Sequence, residues 1–303
     1  MEIAKVERIS PNKEKVIFSD GSFHIKYMGL LHSLDEPALV EKGKIGYYVK
    51  GKLHNPNGPA LIIEEGDRKE EHFFWGGMRH NPNGPAVIIY NNGEVVEKLF
   101  YIKGKLHNLN GPAHITPVFE KWYVNDLLHN EKDEPAYINK ESNGRWFYKC
   151  GVLHREGDKP AVELADGLRA HYNKGVLHRD GDKPAKYNVN TGFELYVKNG
   201  VRFREGDKPF LIDPVEGKLI WGDDKGNRHR EGDEPAYVNT LTGEKIYYKH
   251  GKKHRDGDLP AYDSPTVKRF YKNGLLSRYG KPAVISPDGL QYFENGVEVI
   301  PEG

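Results

Sequence analysis

The stretch HRDGDLP over His254–Pro260, preceded by YYKHGKK over Tyr247–Lys253, is one copy of a sentence that the chain writes eleven times. The consensus is aromatic-aromatic-x-x-G-x-[LR]-H-[RN]-x-G-[DN]-x-P-A. Each copy leads into a short apolar run, a Gly-centred turn and the next aromatic pair. The prolines that mark the copies are Pro37, Pro59, Pro85, Pro112, Pro135, Pro160, Pro184, Pro209, Pro235, Pro260 and Pro282, spaced 22 to 27 residues apart. A fixed period in that range is the signature of a repeat architecture.

Composition agrees with a repeat. A length of 303 residues allows two domains, but the copies cover nearly all of it. Lys and Arg number 45 against 44 Asp and Glu, a net charge of +1, so no global field favours nucleic acid or an anionic membrane. Mean hydropathy is -0.74 and aromatics reach 11%, with 18 Tyr. Such a chain has many half-buried rings and little aliphatic mass for a thick core, which predicts an elongated, thin structure. Cys150 is the only cysteine, excluding an intramolecular disulfide and a Cys-based zinc site. The opening MEIAKVERISPNKEKVIF has no apolar leader core, and no run approaches the ~18 apolar residues of a membrane span. The expected location is cytoplasmic.

Residues 1–28 read as a lead-in, with strands around Val16-Ile17-Phe18 and Phe23-His24-Ile25 about the Asp20-Gly21 turn. Residues 29–285 hold the repeats, and residues 286–303 hold a closing half unit, Tyr292-Phe293-Glu294-Asn295-Gly296. Each copy carries one turn after its aromatic strand, as at Lys50-Gly51 and Asn199-Gly200. Another lies before the next, as at Asn92-Gly93 and Asp288-Gly289. Gly and Asn supply the positive φ such turns need. The runs between are short, β-branched or aromatic, and roughly alternating, with no useful 3.6-residue period. This predicts an all-β chain.

Two blocks are visible. Copies two to four carry H-N-x-N-G-P-A, as in His54–Ala60, whereas copies six to ten carry R-[ED]-G-D-x-P, as in Arg155–Pro160. Copy five, His129-Asn130-Glu131-Lys132-Asp133-Glu134-Pro135, is transitional, with Asp126 where the repeat glycine should stand. Nothing resembles a linker, so no domain boundary is expected. The one internal irregularity is the junction near 115–150.

The aromatic-x-x-[NHK]-G-x-x-H pattern, as in Tyr248-Lys249-His250-Gly251-Lys252-Lys253-His254 and Tyr271-Lys272-Asn273-Gly274, resembles the MORN repeat (membrane occupation and recognition nexus). It departs where that family places the second glycine of a G-x-G pair, since Pro-Ala stands there. The resemblance implies an elongated rod of successive β-hairpins in one long twisted antiparallel sheet. It also implies non-catalytic roles in scaffolding, dimerisation or membrane association.

The histidines His32, His54, His80, His107, His129, His154, His178, His229 and His254 share one repeat position; Phe203 and Ser277 replace it twice. With about two strands per copy at ~4.8 Å spacing, equivalent side chains recur every ~10 Å. That is too far for neighbouring imidazoles to share a metal at ~2.1 Å. The expected role is structural: imidazole packs on the aromatic pair and bonds a turn carbonyl. Asp158, Asp182, Asp207, Asp233 and Asp258 are expected to brace their own turns, with Arg155, Arg179, Arg204, Arg230 and Arg255 near enough to pair. Calcium binding of the β-roll kind needs a nonapeptide period, which is absent. No metal or cofactor is expected. A catalytic centre needs residues that occur once; nearly every His, Asp and Arg here is a repeat residue, so no catalytic residue and no enzyme activity is expected.

The expected function is a non-enzymatic scaffold for protein–protein interaction, with a homodimer as one mode of assembly. The alternative is an adaptor for a glycan, anionic lipid surface or nucleic acid that uses the aromatic and arginine rows. Partner-specific residues should be those that break the consensus. The candidates are Trp75, Phe119, Trp122, Asp126, Trp146 and Trp221, with His114 and Phe203 as further breaks. Eleven copies at ~10 Å each predict a rod of about 100 Å. Small-angle scattering is expected to give a radius of gyration well above the ~19–20 Å of a compact chain of this length; a value in that range would contradict the rod.

Overall fold

The computed structural model describes residues 2–300, so Met1 and the last three residues of the expected closing half unit lie outside the described residues. Among the described residues there is no helix, hence none long and apolar enough to cross a membrane. The chain forms two compact units, Met1–Val152 and Leu153–Gly303. The sequence showed two blocks but no linker; along the chain the boundary falls where the Asn-type copies give way to the Arg-type copies.

Each unit is a ladder of antiparallel hairpins in sequence order. In the first, Ile3–Ser10 pairs with Lys13–Phe18, which pairs with Phe23–Tyr27, and the ladder continues strand by strand to Gly144–Trp146. The strand Ile3–Ser10 was not anticipated: it carries two register shifts and leaves Ile3, Val6 and Ile9 exposed, so no apolar alternation announces it. In the second unit the same succession runs from Val162–Glu163 to Gly289–Gln291.

The aromatic segments lie outside this ladder. Most copies add a separate two-stranded hairpin, such as Tyr48–Val49 with Lys52–Leu53 or Tyr271–Lys272 with Leu275–Leu276; in copy one it continues the ladder strand Phe23–Tyr27, and in copy nine it is reduced to the bridge between Gly222 and Arg228. The first ring residue of each copy is the corner between the two. Its N–H donates to the carbonyl of the Pro-Ala alanine, as in Tyr47 to Ala60 at 2.7 Å and Trp122 to Ala136 at 2.8 Å. Its own carbonyl accepts from the repeat histidine N–H, as in His129 to Trp122 at 3.1 Å. The alanines at this crossing, from Ala38 to Ala283, are fully buried, because two backbone runs pass there and leave room for a methyl group only. Phe210 is the exception, and the neighbouring copy makes space for it. Gly222 stands where a second ring would be, and a Cβ there would lie 2.8 Å from the Phe210 ring.

The small hairpins are two-residue turns with positive φ at both central residues, as at Lys50 (49°) and Gly51 (75°), or Asn199 (49°) and Gly200 (80°). That is the type I′ turn, whose twist matches a hairpin. Its two central N–H groups point away from their own hairpin. In most copies the preceding copy accepts both; at His80 the Nδ1 is buried without a hydrogen-bond partner among the described residues. Gly200 N–H donates to the Leu177 carbonyl at 3.0 Å, and Asn199 N–H donates to His178 Nδ1 at 3.0 Å. The same histidine bond recurs at His32, His54, His107, His129, His154, His229 and His254, over 3.0 to 3.4 Å.

The imidazole therefore accepts a bond from a turn N–H, where the sequence reading expected it to meet a carbonyl. Ser277 does the same work with its hydroxyl, taking the Asn295 N–H at 3.1 Å. Phe203 cannot accept, and the next copy is rebuilt to match. Its turn is one residue longer, and Asp223 Oδ1 takes the N–H groups of Lys225 at 3.1 Å and Asn227 at 2.8 Å. A ring alone does not suffice at this position. His178→Phe is expected to destabilise the chain by about 1 kcal/mol in urea unfolding, part of the loss being offset by water at the exposed Asn199. No change would show that the imidazole contributes packing alone.

Candidate functional site

The two blocks treat the same ring differently. In copies eight to eleven a guanidinium lies over the ring of its own copy, with Arg204 3.7 Å from the Tyr196 centroid, Arg230 4.1 Å from Trp221, Arg255 3.8 Å from Tyr247 and Arg278 3.7 Å from Phe270. The fork then reaches the aspartate of the preceding copy. Arg230 holds Asp207 at 2.6 and 2.7 Å, and Arg255 holds Asp233 at the same distances. Arg179 holds Asp158 likewise, Arg204 holds Asp182 and Arg278 holds Asp258. This corrects the sequence expectation that arginine and aspartate pair within one turn. The pair runs between copies, which a one-dimensional reading cannot distinguish when every copy carries both partners.

The remaining donor of the fork meets the proline carbonyl of its own loop, at 3.4 Å for Arg230 and Pro235. Lys208 adds a second cation to Asp182 at 2.6 Å. Hydrogen bonds from Arg204 and Lys208 hold the Asp182 carboxyl down to about 2, and the same pattern holds Asp158 and Asp258 well below the usual carboxylate range.

In the Asn-type copies the amide does only the local part of this work. Asn55, Asn81, Asn108 and Asn130 donate to the carbonyls of Pro59, Pro85, Pro112 and Pro135 at 2.8 to 3.2 Å. Among the described residues no guanidinium or ammonium stacks on the corner rings of these copies. Tyr47, Phe73, Phe100 and Trp122 are accordingly half-buried, whereas Tyr196, Trp221, Tyr247 and Phe270 are buried.

A wide groove opens at Trp122. Its volume is about 600 Å³, and it is lined by residues of the loops 107–111 and 129–135, among them Leu109, Glu131, Lys132 and Glu134, together with Trp122 and Tyr123. Among the described residues no cation of the chain stacks on Trp122. The charged residues that line it are Glu131 and Glu134 against Lys132.

The other residues singled out in the sequence fall in several places. Phe119 and Trp146 are brought together through Tyr137: Trp146 stacks on it at 4.5 Å and 17°, while Phe119 meets it edge-on at 6.2 Å. His114 closes this cluster against Phe119 at 4.8 Å. Trp75 is half exposed on a small hairpin, edge-on to His54 at 4.9 Å. Asp126 takes the glycine's left-handed conformation (φ 69°), and its carboxylate accepts the Leu106 N–H at 2.7 Å. Trp221 is buried beneath Arg230 in the second unit. Trp122 and Trp221 both occupy the repeat's ring position, so neither breaks the pattern. What differs at Trp122 is the residue above it, and the signal for that was Asn130 in the column where Arg230 stands. Among the described residues no group of His, Cys, Asp and Glu is placed to hold a metal ion.

His171 is the one repeat ring that is an imidazole. Burial, and then the nearby Arg179 charge, lower its pKa to about 4. A base whose folded pKa lies below the unfolded value of ~6.5 is protonated first in the unfolded chain. Its penalty on folding is absent above pH ~6.5 and grows as pH falls towards about 4. His171→Phe is expected to retain stability across that window relative to the parent, read as the pH dependence of the urea midpoint. Parallel curves for the two would remove this role.

No protein-family model matches the chain, and no curated protein matches it either.

Proposed function

We propose that the chain is a non-enzymatic, MORN-like repeat scaffold that binds an extended protein segment along the open rings of its first unit, with the Trp122 groove as the principal contact. The observation that carries this is the contrast between blocks. Identical corners are roofed by arginine in one and left half-open over Trp122 in the other. Large aromatics in partly closed pockets dominate protein interfaces, where truncation commonly costs over ~2 kcal/mol. The repeat histidines, arginines and aspartates are engaged in holding copies to one another, which favours a scaffold over a catalyst. The same engagement weighs against an adaptor for a polyanion, since the guanidinium groups of Arg179, Arg204, Arg230, Arg255 and Arg278 already sit on carboxylates.

The test is selection of a displayed random-peptide library on the full chain, repeated on Trp122→Ala and on Trp122→Phe. Phenylalanine is the natural ring at Phe73 and Phe100, so the second variant keeps the corner filled. The expected result is an enriched peptide set whose retention falls by roughly tenfold or more on Trp122→Ala and less on Trp122→Phe, with both variants folded. Retention of the same peptides at equal strength on all three chains would overturn the assignment.

A further inference from the structure

Copy nine shows what fits over a tryptophan in this fold. Its ring and loop are Trp221 and His229-Arg230-Glu231-Gly232-Asp233-Glu234-Pro235; those of copy five are Trp122 and His129-Asn130-Glu131-Lys132-Asp133-Glu134-Pro135. The loops are equal in length and share the acidic positions. They differ at two places, Arg230 against Asn130 and Gly232 against Lys132.

In copy nine the guanidinium lies 4.1 Å from the Trp221 ring, 3.4 Å from the Pro235 carbonyl and 3.7 Å from Glu234. In copy five Asn130 already serves the Pro135 carbonyl at 3.2 Å. What remains unserved is an open tryptophan face with Glu134 on its wall. Asp207, the carboxylate that Arg230 grips from the preceding copy, has no counterpart. There the loop is one residue shorter and brings Leu109, 78% exposed, and Asn110 to the groove.

From this vacancy, and resting on the docking reading above, we infer that the Trp122 groove takes the arginine side chain of a partner polypeptide. The guanidinium stacks on Trp122 as Arg230 stacks on Trp221. Its charge faces Glu134, and the partner's neighbouring apolar atoms lie against Leu109. Charge and shape agree on arginine. A planar, weakly hydrated cation suits a tryptophan face better than an ammonium does, and the groove wall is acidic. A carboxylate or phosphate ligand would meet Glu131 and Glu134 at the groove with only Lys132 to pair with.

The test uses the full chain labelled with fluorotryptophan, the Trp122 resonance being assigned through Trp122→Phe. N-acetyl-arginine amide is titrated against N-acetyl-lysine amide and the uncharged isostere N-acetyl-citrulline amide, with fluorine NMR as the readout. The arginine amide is expected to shift the Trp122 resonance saturably, with lysine at least about threefold weaker and citrulline weaker still.

A second arm gives the chain its own occupant. Asn130→Arg combined with Lys132→Gly, which copies the loop of copy nine, is expected to displace the Trp122 resonance before any addition and abolish the titration. Equal binding of citrulline and arginine would overturn the inference, as would undiminished titration of the double variant. Failure of both arms while the peptide selection still depends on Trp122 removes the arginine assignment and leaves the docking site standing. Loss of that dependence as well removes the docking reading itself.

Discussion

Apart from the longer turn after Trp221, each small hairpin turns through two left-handed residues, and the amides of those residues have no partner within their own hairpin. In most copies the preceding copy supplies both acceptors. One is a backbone carbonyl and costs the sequence nothing in choice of side chain. The other is a histidine Nδ1, and an acceptor must stand there with no proton on it. This explains the three ways in which the column is filled. Histidine and serine present a lone pair, while phenylalanine is tolerated only because the next turn has grown by one residue and carries Asp223 as its own acceptor. Pairing copy to copy in this way makes stability a nearest-neighbour property.

A second connection between copies exists in two forms. In copies eight to eleven one guanidinium covers a ring and donates to the preceding carboxylate, so ring burial and charge pairing are a single arrangement. The carboxylates themselves are 45 to 63% exposed, and their ion pairs are therefore screened and individually weak. The larger effect is the ring surface that the guanidinium plane removes from water. The Asn-type copies keep the loop closed with a neutral amide and leave the ring half-covered. The two forms meet at copy five, where the loop has the length and acidity of an Arg-type copy but lacks the arginine.

Much of this was legible along the chain. The period of the prolines, the Gly and Asn at turn positions and the alternating short runs specify successive β-hairpins, because a turn with positive φ restricts residue type wherever it occurs and is readable locally. The division into two blocks was legible too, as a change from Asn to Arg after histidine. The strand Ile3–Ser10 was not, since its two register shifts break the alternation that identifies a strand.

What the sequence alone determined is the unit: a hairpin, its turn and the residues that stand at each point of it. What only the tertiary structure decided is which copy each side chain serves. Arg230 could grip Asp233 in its own loop or Asp207 one copy back, and both readings have the same spacing along a periodic chain. The same ambiguity hid the histidine bond and the open face of Trp122. Periodicity makes every copy's partners chemically alike, so only the packing of one copy on the next selects among them.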